Sequence, residues 1–75
     1  MPERIGPLPY RKVKRALLHL GFRVERQVGS HVVFVHADGR LMSVPHHARE
    51  DISKDFLKRL LKDAGIPLDD FLTAL

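Results

Sequence analysis

Few side chains in this sequence are equipped for chemistry. Its 75 residues include no cysteine and five histidines: His19, His31, His36, His46 and His47. One of them opens an apolar run, Val28-Gly29-Ser30-His31-Val32-Val33-Phe34-Val35-His36. An imidazole at that place can serve packing, metal binding or proton transfer. Histidine titrates near neutrality and so acts as a general base or a general acid. The preceding glycine permits close backbone approach, and the serine hydroxyl can bond a phosphate oxygen. RNA suits such a group, because it carries its own nucleophile, the 2′-hydroxyl. Its cleavage needs a base for that proton, an acid for the leaving 5′-oxygen and cations for the phosphorane, which Lys and Arg can supply.

Metal binding fits the spacing less well. On a regular strand His31 and His36 are an odd number of residues apart and point to opposite faces. His46 and His47 are adjacent and do not converge easily, and no HxH, HExxH or cysteine pair is present. Neither a metal nor a small-molecule cofactor is expected. His19, near the end of the first predicted helix, reads as structural, favoured by the negative helix terminus. His36 reads as a solvent-edge residue beside a turn.

Charge points the same way as the histidines. The net charge is +4, with nine Lys/Arg against three Asp/Glu in residues 1–49 and four against six in residues 50–75. The basic part attracts polyanions, of which nucleic acid is the commonest. Arg11, Lys14 and Arg15 form a basic stripe on the first helix, and with Arg26 they are candidates for contacts to an RNA backbone. No apolar run approaches the roughly 20 residues needed to span a bilayer, and the segment MPERIGPLPY lacks the apolar core of a secretory signal. A cytoplasmic protein of one domain, residues 1–75, is expected.

These side chains need elements to hold them. Val13, Ala16, Leu17 and Leu20 recur at helical spacing in RKVKRALLHLG, with Pro9 suited to the first turn and Gly21 to the end. FRVERQV alternates as a half-buried strand interrupted by Arg26, HVVFVH is a second strand, and LMSV, closed by Pro45, a third. Asp38-Gly39 marks the hairpin between the last two. HHARED reads as a loop. SKDFLKRLLKDAG is a second helix with Ser53 as N-cap and an apolar stripe of Phe56, Leu57, Leu60, Leu61 and Ala64. IPLDDFLTAL is a short terminal helix. The expected fold is α+β, of α-β-β-β-α order with a short C-terminal helix, its three-stranded antiparallel sheet carrying the helices on one face. Double-stranded-RNA-binding domains share this order.

The register of the first hairpin stays open. A three-residue loop pairing Gln27 with His31 aligns Val24 with Phe34 and leaves His31 on the open face. A two-residue loop reverses this.

Several ordered motifs in this chain resemble one family. They are Leu20-Gly21-Phe22, Gly29-Ser30-His31, Val44-Pro45 with His47, and Ala64-Gly65-Ile66 followed by Phe71. Over about residues 8–72 the chain is similar to the HicA (YcfA-like) toxins, small RNA-cleaving members of toxin–antitoxin pairs. The resemblance implies a double-stranded-RNA-binding-like fold and a metal-independent endoribonuclease acting on mRNA. It implies His31 as the catalytic residue, with Gly29 and Ser30 shaping its turn and His47 as a candidate RNA contact. It also implies a HicB-like antitoxin that covers the site. Three positions depart from the family pattern. Asp55-Phe56 stand where a small Gly-Thr pair is common, and Asp55 would repel a phosphate. Val28 stands where a basic or polar residue is common, and Leu8-Pro9 where a serine cap is common. Two rival readings are a non-catalytic RNA-binding module and a protein-interaction domain docking an acidic partner.

Overall fold

The computed structural model describes residues 5–47 and 50–75. The order is β1 (Leu8–Pro9), α1 (Tyr10–His19), β2 (Phe22–Val28), β3 (His31–His36), β4 (Leu41–Pro45), β5 (Asp51–Ile52), α2 (Lys54–Asp63) and α3 (Leu68–Ala74). Strands β2, β3 and β4 form the expected antiparallel meander, with β3 in the centre. The fold is α+β, and its helices pack on one side of this sheet.

The helices follow their sequence signals. Val13, Ala16 and Leu17 are fully buried, and Gly21 leaves α1 with φ +94°. Ser53 caps α2, its Oγ accepting from the Phe56 N–H at 3.3 Å. The other end closes as a Schellman turn: the Gly65 N–H donates to Lys62 O and the Ile66 N–H to Leu61 O, with Gly65 at φ +69°. Glycine, lacking Cβ, adopts that φ without steric cost. Leu57 and Leu61 from α2 and Phe71 from α3 join Phe22, Val32, Phe34, Met42 and Val44 of the sheet in one core.

The first hairpin combines features that the sequence offered as alternatives. Gly29-Ser30 makes a two-residue turn with Val28 opposite His31, yet Val24 lies opposite Phe34 and His31 is exposed. A bulge between Val24 and Arg26 reconciles the two, because the extra residue shifts register halfway along the hairpin. The expectation that a two-residue turn would reverse the face of His31 is thereby corrected. Strand β2 is also less buried than its alternation suggested. Phe22 alone is buried in it, and Val28, which the bulge puts opposite His31 on the face away from the helices, is 59% exposed.

Three further ties complete the frame. The two-residue strands β1 and β5 pair antiparallel, Leu8 with Ile52 and Pro9 with Asp51, joining the entries to both long helices. The loop expected over residues 46–51 therefore ends in a strand, and residues 48 and 49 lie outside the described part. Pro9 occupies the N-cap of α1 without a side-chain capping bond. Arg40 clips the β3–β4 turn to the end of α2, with Nη1 donating to Ala64 O at 2.7 Å and Nε to Asp38 Oδ2 at 2.8 Å. His36 is not the solvent-edge residue expected. Its ring meets Phe22 edge-on at 5.0 Å and pairs with Asp38 at 3.1 Å. His19, the basic residue in the last turn of α1, also has its Nδ1 2.7 Å from Ala74 O, fastening α1 to α3.

Candidate active site

His31 is the first residue of β3, immediately after the turn that Gly29 makes possible at φ +60°. A Cβ at Gly29 would meet no atom within 4 Å, so the demand there is conformational rather than spatial. Pro45 lies opposite His31 across β4. The chain leaving β4 is held against the same turn, with the His46 N–H donating to Ser30 O at 2.6 Å. That bond brings the 46–47 pair beside His31.

His31 and His47 line one open cleft of about 380 Å³. Its far wall is made by Glu50, Asp51, Ile52, Ser53 and Phe56, where β5 leads into α2. Pairing of β5 with β1 sets that wall at its distance from the sheet. Phe56 is 45% exposed, although its place in the apolar stripe of α2 predicted a core residue. Leu57, Leu61 and Ala64 suffice for the buried face, and Phe56 turns instead into the cleft. Asp55 stands in the first turn of α2, where a carboxylate suits the helix dipole.

A second cleft of about 320 Å³ continues the first, sharing His47, Glu50 and Asp51 and adding Pro9, Tyr10, Arg11 and His46. The Tyr10 and His46 rings are stacked, with centroids 3.8 Å apart and planes 11° from parallel. On its inner side Tyr10 leans on buried Phe34 at 6.4 Å. Burial raises the Tyr10 phenol above its ordinary value of 10.0, so the ring stays neutral in neutral solution. Nothing in the local sequence marks Tyr10 and His46 as partners, because 35 residues, the whole sheet among them, lie between the two.

The expected site residues thus divide. His31 and His47 converge, Gly29 and Ser30 form the turn beside them, and Arg11 joins through the continuous groove. Lys14 and Arg15 lie farther along α1 and line neither cleft. Arg26 lies on the open sheet face opposite Val33 and pairs with exposed Glu25 at 3.8 Å, outside both clefts. Among the described residues, no group of three or more His, Cys, Asp or Glu side chains is disposed to hold a metal ion. Nor is any helix among them long and apolar enough to cross a membrane.

Residues 10–66, from the start of α1 to just past the end of α2, match a family model described as the HicA toxin of bacterial toxin–antitoxin systems. The chain belongs to the HicA toxin family. No curated protein matches it. In this HicA chain the matched segment contains His31, His47 and the Tyr10–His46 stack. Membership also makes a toxin–antitoxin partner part of its setting.

Proposed function

We propose that this HicA chain is a toxin that cuts mRNA as a metal-independent endoribonuclease, with His31 transferring a proton at the scissile phosphate. One observation carries the reading: two imidazoles, His31 and His47, line a single open cleft. A neutral imidazole takes the proton of the 2′-hydroxyl, and that oxygen attacks phosphorus. As the bond from phosphorus to the 5′-oxygen breaks, a protonated imidazole delivers a proton to the leaving oxygen. The products are a 2′,3′-cyclic phosphate and a 5′-hydroxyl. Gly29 and Ser30 shape the turn that presents His31, and a rigid strand start holds a reacting group better than a loop. His47 is the counterpart for the second proton transfer. Arg11 supplies positive charge at the groove, with Lys14, Arg15 and Arg26 as outlying contacts to the RNA backbone. A HicB-like antitoxin covers the groove in the cytoplasm, where mRNA is the target.

The test is cleavage of labelled RNA. Replacing His31→Ala is expected to slow cutting by about 10²-fold or more, with the fold intact by circular dichroism. EDTA should leave the rate unchanged, and a substrate lacking the 2′-hydroxyl at the cut site should resist. RNA bound by wild type but never cut would establish the non-catalytic binding module instead.

A further inference from the structure

We infer that the second half of the groove is a nucleobase subsite, in which a base next to the cut phosphate stacks on the His46 imidazole. This rests on the RNA-cleaving reading above. His46 is exposed, yet its ring is already oriented. Tyr10 covers one face at 3.8 Å and Phe34 supports Tyr10 from the core. The backbone is pinned as well, by the bond from the His46 N–H to Ser30 O. A side chain ordered before the ligand arrives loses little entropy on binding. The remaining face of the imidazole is the one a base can use, as bases in single-stranded RNA stack on histidine and other flat side chains.

Position supports the same assignment. The cleft beside the stack shares His47, Glu50 and Asp51 with the cleft of His31, so a base held there belongs to a nucleotide adjoining the one at His31. Two carboxylates on this wall are good acceptors for N–H groups. Bases that carry an exocyclic amine therefore fit better than uracil. Arg11, on the outer side of the same cleft, is left to meet the backbone phosphate.

The sequence supplies its own reporter. Tyr10 is the one tyrosine of the chain, and there is no tryptophan. Intrinsic fluorescence therefore reads this subsite directly. The probe is a short single-stranded RNA that wild type cuts, together with copies made abasic at one position each, bound to His31→Ala protein so that they stay whole. Binding of the parent RNA is expected to quench Tyr10. One abasic copy should bind about tenfold more weakly and lose the quench, a cost typical of one stacked base. His46→Ala in the same background should weaken the parent RNA by about tenfold and make that abasic copy no worse. His46→Phe, which keeps a flat ring, should restore binding. Equal abasic penalties with and without the His46 ring, or an unchanged Tyr10 signal on binding, would overturn the subsite while leaving cleavage standing. RNA that is neither cut by wild type nor bound would overturn both readings. If His46→Ala does not fold, the quench and the abasic series on the His31→Ala protein decide alone.

Discussion

His31 and His47 reach the same cleft from opposite ends of a short path, one at the start of β3 and the other just past β4. In the proposed mechanism they are two proton-transfer groups of one reaction, and such groups act as a unit, so their losses should not add. The double variant His31→Ala/His47→Ala is expected to cut RNA no more slowly than the worse single variant, measured under single-turnover conditions. Gly29 acts through its backbone. At φ +60°, Gly29→Ala should cost about 1 kcal/mol, whereas Gly29→Asn should recover much of that, both read by urea unfolding. Asp38 gives a stability signal of its own. The Arg40 N–H bonded to its carboxylate holds it below the ordinary value of 3.8, opposed by desolvation and aided by the Arg40 guanidinium and His36. Its contribution is complete above that value and is lost as pH falls through the lower folded one. Asp38→Asn should therefore be less stable than wild type at neutral pH, and the gap should close as the solution is acidified below 3.8.

Elements hold these residues in place through a few specific joints. The bulge between Val24 and Arg26 keeps Val24 opposite Phe34 while the tight turn keeps Val28 opposite His31. The alternation of FRVERQV was legible, but a bulge is visible only when a strand must satisfy a turn at one end and a core at the other. The β1–β5 pair was equally hidden. Two residues on each side carry too little pattern to stand out from a loop, and the pair joins segments more than 40 residues apart in the chain. Arg40 joins the β3–β4 turn to the C-terminal end of α2 with a bond to Ala64 O, and its guanidinium lies 5.4 Å from the centre of the Phe22 ring. Arg40→Ala should destabilise the fold by roughly 1–2 kcal/mol in thermal or urea unfolding. Arg40→Lys should recover little, since an ammonium lacks the planar fork.

Across the whole molecule, helices fill one face of the sheet and leave the other to solvent. That open face carries Val28 and Leu41, 59% and 60% exposed, beside Arg23, Arg26 and His31. Among the described residues, this face carries Arg23 and Arg26 and α1 carries Arg11, Lys12, Lys14 and Arg15, while the wall of the groove includes Glu50 and Asp51. Binding of RNA should therefore weaken with added salt, with a log–log slope near −0.7 for each phosphate neutralised. Substituting Arg26→Ala should flatten that slope without changing the cleavage rate of bound RNA as His31→Ala does.

The sequence by itself determined the three helices, the Ser53 cap, the order of strands in the three-stranded sheet and the family, because each of these is written in local periodicity, in turn residues or in ordered motifs. His31 was legible as the candidate reacting group for the same reason: it follows Gly29-Ser30 directly. Only the tertiary structure decided which face His31 occupies, that Phe56 leaves the core for the cleft, and that His46 stacks on Tyr10. Those outcomes depend on contacts between segments far apart in the chain, and on a register that one extra residue in β2 is enough to shift.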